Sequence, residues 1–282
     1  MLRRSRDLEI AEDRSLNSQE ISKISEPASA GHDESDKPTV VLVHGAFEDA
    51  FIWHRVIVQL QRDGFPVIAF ANPLLGVAVD SVYLHSVLVR VKGPVVLVAH
   101  SYGGAVITQA GADAPQVKAL VYAAAIIPAV GEAASDLLKR YPGSTFPTSV
   151  EATSYTLPDG TRGTYLLYQP DQFHRNVAAD VPDGEAALML ATQRPMNLAA
   201  LNERVTSAAW QSEPSWQIRT LQDLAIPLDE QRFEAERAGS QVVEVESSHV
   251  VPVSHAEIVV DVIKRAARAT AEPSWKDTRV SR

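Results

Sequence analysis

The stretch Val95–Ile107, VVLVAHSYGGAVI, constrains this chain more than any other. Val95 to Ala99 is an unbroken apolar run rich in β-branched residues and introduced by Gly93-Pro94, the pattern of a strand buried on both faces. His100, Ser101, Tyr102, Gly103 and Gly104 follow, and Ala105-Val106-Ile107 then opens a helix. A serine at so sharp a strand-to-helix turn is held in a strained conformation that exposes its hydroxyl at the carboxyl edge of a sheet. The helix start behind it offers backbone N–H groups to developing negative charge. Strand and helix approach closely there, which suits the small Ala99 and Gly103 on either side. Ser-x-Gly alone marks many ordinary turns, so its chemical weight depends on a base, an acid and an oxyanion site elsewhere in the chain.

Around this stretch the chain alternates. Val40-Val41-Leu42-Val43 is a second short buried strand, ending in His44-Gly45-Ala46-Phe47. Phe51 to Gly64 reads as a helix with Ile52, Val56, Ile57 and Leu60 on one face. Pro66 to Ala71 is a strand, and Val79, Tyr83, Leu84, Val87 and Leu88 mark an amphipathic helix. After the serine turn, ALVYAAA within Lys118–Ala125 is another buried strand. Strands and helices alternating at this spacing predict an α/β fold, a mostly parallel sheet with helices on both faces. Ligands then bind at the carboxyl ends of the strands, where His44-Gly45 and Ser101 both lie.

Residues 126–210 break the rhythm. A hairpin around Pro158-Asp159-Gly160 and helical segments near Phe173–Ala179, Gly184–Thr192 and Asn197–Ala208 suggest an inserted helical lid, since the insertion starts at a carboxyl strand end. The pattern resumes with strands SWQIRT (Ser215–Thr220) and QVVEVE (Gln241–Glu246), separated by a helix from Glu230 to Ala238. Ser254 and Glu257 read as a capping box for a final helix through Ile258, Val259, Val262 and Ile263. The expected organisation is a core of residues 39–125 and 211–269, the lid at 126–210, a polar, disordered leader at 1–38 and a flexible tail at 270–282.

Composition narrows the chemistry. A formal charge of −9 argues against non-specific binding to nucleic acid or an anionic membrane. No apolar run is long enough to span a bilayer. The absence of cysteine removes disulfides, thiolate metal sites and a thiol nucleophile, and fits a reducing, cytoplasmic setting.

Serine chemistry needs a histidine to take the hydroxyl proton and a carboxylate to orient it. His249 directly follows the last strand and Asp223 the penultimate one, both at the carboxyl edge, in the chain order expected for such a sheet. His44 and His100 flank the turns as hydrogen-bonding neighbours, and His255 falls in the capping box as a solvated helix residue. Asp229 competes with Asp223 but stands at a helix start, where a cap is the plainer role. The N–H groups of Ala46 and Tyr102, with Phe47, are positioned to hold an oxyanion. Lid residues Phe173, Leu188, Met189 and Trp210, with His44, are candidates for the substrate pocket.

Val41-Leu42-Val43-His44-Gly45-Ala46-Phe47, Ala99-His100-Ser101-Tyr102-Gly103-Gly104 and Ser248-His249-Val250-Val251 together resemble the α/β-hydrolase superfamily. Within it they are similar to bacterial hydrolases that look like plant methyl-ester esterases and hydroxynitrile lyases. The likeness runs from about Pro38 to Ala269 and includes Ala191-Thr192-Gln193-Arg194-Pro195. It implies Ser101 as nucleophile, His249 as base, Asp223 as acid, and Ala46 and Tyr102 as the oxyanion hole, with no metal or cofactor. The implied partner is a small or medium apolar carboxylic ester, and a homodimer is admitted. Two alternatives belong to the same superfamily. One is a lyase, which usually calls on a lysine near the site, whereas no lysine occurs between Lys139 and Lys264. The other is a receptor-like binding protein with slow turnover. The sequence departs from the superfamily pattern at Ala99, which replaces a glycine of the serine turn, and at the polar Gln217 and Arg219 in the strand before Asp223.

Overall fold

Apolar side chains on both faces of a strand need a cover on each side. Val40 to Val43 and Val95 to Ala99 have no measurable exposure. The computed structural model describes residues 37–270. The first part of the chain alternates β1 (Thr39–Val43), α1 (His54–Arg62), β2 (Val67–Phe70), α2 (Val77–Leu88), β3 (Val95–Ser101), α3 (Gly103–Ala110) and β4 (Val117–Ala125). A cap follows: α4 (Ala134–Arg140), α5 (Phe146–Ser149), β5 (Val150–Thr156), β6 (Arg162–Tyr168), α6 (Pro170–Val177), α7 (Asp183–Ala191), β7 (Met196–Asn197) and α8 (Leu198–Asn202). The chain then returns through β8 (Ser215–Thr220), α9 (Leu228–Ala238), β9 (Gln241–Val245), α10 (Val251–Ser254) and α11 (Ala256–Ala269).

The core sheet has six strands in the order β2-β1-β3-β4-β8-β9, every neighbouring pair parallel. The order reverses between β1 and β3, so the loops after these two strands open side by side at the carboxyl edge, where a ligand crevice forms. Helix α1 packs on α11 and α2 packs on α3. The cap is not purely helical: β5, β6 and β7 form a separate antiparallel sheet, with the β5–β6 hairpin turning at Pro158-Asp159-Gly160. Most of the leader and tail expected at residues 1–38 and 270–282 lies outside the described residues.

Several local expectations are corrected. The inward face of α2 carries Val77, Asp80, Ser81, Leu84 and Leu88, whereas Val79 and Tyr83 are 43% and 56% exposed. Asp80 turns inward because it accepts hydrogen bonds from the Leu75 N–H and the Tyr102 hydroxyl, which no apolar periodicity can foretell. The capping box does not form. Ser254 ends α10, its hydroxyl bonded to Val250 O and Ser247 Oγ, and α11 starts only after His255. His255 is half-buried between Asp180 and Glu257. Asp229 is no cap either: Pro227 holds that position, and Asp229 pairs with Arg232 on the surface of α9. The helix expected over Asn197–Ala208 is only the short α8, capped by Asn197 Oδ1 accepting from the Ala199 N–H.

The serine turn depends on close backbone approach. A Cβ on Gly103 would meet Val43 O at 2.7 Å, and one on Gly104 would meet Ile126 O at 2.0 Å. Both obstacles are backbone atoms and cannot rotate away. Gly184, in the first turn of α7, has open space around it. Gly104→Ala is therefore expected to destabilise the fold by about 3 kcal/mol, the upper range for overpacking. Gly184→Ala should be neutral or stabilising by up to about 1 kcal/mol. Urea denaturation of the two variants against the parent measures both.

Candidate active site

β3 delivers Ser101 to the carboxyl edge at φ 52°, a left-handed conformation unusual outside glycine. A bulge in the neighbouring strand supports it. Ser101 pairs with Ala125 after a register shift, Ala124 takes φ 44°, and the Ile126 N–H donates to Ser101 O at 3.2 Å. The hydroxyl is thereby lifted out of the sheet into a cavity of about 40 Å³ that His249, Ala46, Phe47, Glu48 and Tyr102 also line. Ser101 Oγ makes no hydrogen bond among the described residues. In sites of this type the serine–imidazole bond often tightens only around a bound substrate.

His249 is buried on the loop between β9 and α10, and its Nδ1 donates to Asp223 Oδ2 at 2.8 Å. Asp223 is well held despite the polar strand before it. Its Oδ1 accepts from the N–H groups of Ala225 (2.8 Å) and Ile226 (3.0 Å), and Thr220 Oγ1 donates to Oδ2 at 2.9 Å. The polar residues of β8 have their own partners: Gln217 Nε2 donates to Gln231 O, and Arg219 pairs with Glu244 on β9. Burial pushes the Asp223 carboxyl up, but the His249 charge and the hydrogen bonds from His249, Ile226 and Thr220 outweigh it and hold it below the usual carboxylate value. Burial pushes the His249 imidazole down, but Asp223, with a further contribution from the Glu48 charge, raises it above 6.5.

The turn after β1 supplies the facing wall. Phe47 has φ 64°, and its carbonyl accepts from the N–H of Arg194 in the cap at 3.1 Å. Among the described residues the backbone N–H groups of Ala46, Phe47 and Tyr102 donate no hydrogen bond within the protein, so they remain available beside Ser101. His44 is fully buried and does not line the cavity. Burial lowers its pKa, and its ring joins the turn to the next loop, Nδ1 donating to Gly45 O (2.9 Å) and Nε2 accepting from the Asn72 N–H (3.0 Å).

Of the other expected pocket residues, Phe173 lines this cavity. Leu188 and Met189 line a separate, larger one, and Trp210 lies away from both, its Nε1 donating to Pro128 O and its ring facing Arg237. The aromatic wall over Ser101 is instead Phe47, Phe146, Tyr168 and Phe173, with Phe47 and Tyr168 centroids 4.7 Å apart.

Two acidic residues that sequence reading missed are part of this region. Glu48 Oε2 accepts from the Gly45 N–H (3.2 Å) and from His100 Nδ1 (2.8 Å), while His100 Nε2 donates to the His249 carbonyl at 2.8 Å. Burial pushes the Glu48 carboxyl up, but its pairing and hydrogen bond with His100 outweigh that and hold it below its usual value. Asp180, in the cap, accepts from Ser247 Oγ (2.9 Å), from the Ser248 N–H (3.0 Å) and from Ser248 Oγ, gripping the residues just before His249. Glu48 and Asp180 lie 201 and 69 positions from His249 in the sequence, and no local motif ties either to it.

The comparisons with known proteins agree with this architecture. The sequence profile of the Alpha/beta hydrolase family matches residues 40–262. The putative chloroplastic methylesterase 13 of Arabidopsis thaliana is 26% identical over 69% of this chain, which spans 48% of that protein, about half its length. The alpha/beta hydrolase nvfD of Aspergillus novofumigatus is 25% identical over 84% of this chain and 99% of its own. The crystal structure of polyneuridine aldehyde esterase superposes with a TM-score of 0.72 at 20% identity, over 81% of this chain and 98% of that one. With the profile spanning most of the described chain and the serine turn, parallel sheet and inserted cap all in place, this chain belongs to the alpha/beta hydrolase family.

Proposed function

We propose that the protein hydrolyses a small or medium apolar carboxylic ester through an acyl-enzyme on Ser101, with His249 as base and Asp223 as its orienting acid. The observation that carries this reading is the 2.8 Å bond from His249 Nδ1 to Asp223, in a cavity that His249 shares with a serine held at φ 52°. Ser101 Oγ attacks the ester carbonyl carbon as its proton passes to His249 Nε2. The N–H groups of Ala46 and Tyr102, with that of Phe47 in the same turn, stabilise the oxyanion. Collapse expels the alcohol, which takes the proton from His249. Water, deprotonated by His249, then attacks the acyl group, releasing the acid and restoring Ser101.

The relatives named methylesterase and polyneuridine aldehyde esterase are named for ester cleavage, and the same chemistry is proposed for this chain. The small cavity beside Ser101 fits one short apolar group of the ester. Cleavage of a cyanohydrin is disfavoured because no lysine is among the residues lining that cavity to stabilise a leaving anion.

Ser101→Ala is expected to lower kcat on short p-nitrophenyl esters by about 10⁴-fold or more with the fold intact. It should also abolish labelling by a fluorophosphonate, read by intact mass. Turnover retained in a folded variant would overturn the assignment, and labelling of the parent without turnover would favour a binding role. Asp223→Asn should cost about 10⁴-fold in kcat through loss of the productive His249 tautomer. The base must be neutral to accept a proton. Since Asp223 raises His249 above 6.5, kcat/KM should rise with pH along a limb centred above that value. A midpoint at or below 6.5 would contradict the proposed pairing.

A further inference from the structure

A cavity of about 140 Å³ adjoins the smaller one and shares three lining residues with it: Phe47, Glu48 and Phe173. The roughly 40 Å³ beside Ser101 has room for only a few water-sized groups. An ester of ordinary size therefore needs somewhere to place its remaining atoms, and the larger cavity is the adjoining space. Leu188, Met189, Phe51 and Ile52 make most of its wall apolar.

Glu48 stands where the two cavities meet. Its side chain is 9% exposed, and both of its protein hydrogen bonds fall on Oε2. Oε1 makes no hydrogen bond among the described residues. It is not sealed off from solvent, so a ligand donor in the passage can reach it. No lysine or arginine lines either cavity, while Asp49 and Glu185 line the larger one. Asp49 and Glu185 line only the larger cavity, and both oxygens of Glu185 are bonded to Arg55, so Glu48 is the carboxylate that both cavities share.

Resting on the hydrolase reading of Ser101, we propose that Glu48 is a specificity-determining residue whose Oε1 accepts a hydrogen bond from a hydroxyl or ammonium donor carried by the ester in the passage between the cavities. An ester bearing a carboxylate at that position is rejected, because its charge would meet that of Glu48 in a poorly solvated wall that no lysine or arginine lines. The site takes apolar esters with one polar donor a few atoms from the reacting carbonyl.

The test uses a matched set of methyl esters whose far end is methyl, hydroxyl, ammonium or carboxylate. Hydrolysis is measured with the full-length chain, and binding of the same esters is measured by calorimetry in Ser101→Ala. In both measurements the hydroxyl and ammonium esters should exceed the methyl ester by about tenfold, the increment of a charge-assisted hydrogen bond, and the carboxylate ester should fall below it by at least as much. The readout is the ratio between esters within one protein, so a general loss of activity does not alter it. Glu48→Gln can still bond to His100 and Gly45. It should keep part of the hydroxyl preference while losing the ammonium preference and the carboxylate rejection. Glu48→Leu should bring all ratios near one. Ratios unchanged in Glu48→Gln, or no discrimination by the parent, would overturn the proposal. Absence of turnover by the parent would overturn the hydrolase reading instead, with the binding ratios still deciding the role of Glu48.

Discussion

Holding a serine at φ 52° costs of order 1–3 kcal/mol and persists only where the surroundings leave the backbone no alternative. Here β3 lies between β1 and β4 with every side chain from Val95 to His100 buried, so the strand cannot shift to relieve the turn. The helix that follows is pressed against Ile126, just past β4, at Gly104 and against the end of β1 at Gly103. The Ser101 carbonyl is occupied by the Ile126 N–H. The strain is thus offset by the whole central sheet, and the hydroxyl is offered to the cavity without any side chain having to hold it there.

Around that fixed point, ionised groups are kept in an interior that would neutralise them singly. Asp223 keeps its charge beside His249, and Glu48 keeps its charge beside His100. The two pairs are joined, because His100 donates to the carbonyl of His249. Pairing and hydrogen bonding outweigh desolvation at each carboxylate, and the same electrostatics raise the basicity of His249. An imidazole made more basic in this way suits the proposed removal of the Ser101 proton.

The cap sets the geometry of the loops it covers. Arg194 holds the turn after β1 through its N–H to Phe47 O, and its guanidinium donates to Asn72 O at 2.9 Å. Asp180 holds the loop before His249, and it follows closely on α6, which carries the cavity residues Phe173 and Val177. The turn after β1, the loop that carries His249 and the pocket wall are therefore all referred to one inserted segment, so a shift of the cap would move them together.

What the sequence determined by itself is whatever local periodicity and chain order control. Uninterrupted β-branched runs made β1 and β3 legible as buried strands, and the alternation with helices made the parallel sheet legible. Ser101, Asp223 and His249 were legible because each stands at or just past the end of a strand and parallel strands all end at one edge. Where polar groups turn inward the periodicity failed: Asp80 rotated the reading of α2, and Ser254 bonded to Ser247 in place of capping α11. Only the tertiary structure decided that Glu48 meets His100, that Asp180 grips Ser248, that Trp210 lies outside both cavities, and that Leu188 and Met189 face the larger one. The reason is physical. A charged side chain in a loop is equally at home in water, and whether it is buried depends on partners supplied by distant segments, which leave no periodic trace in the chain.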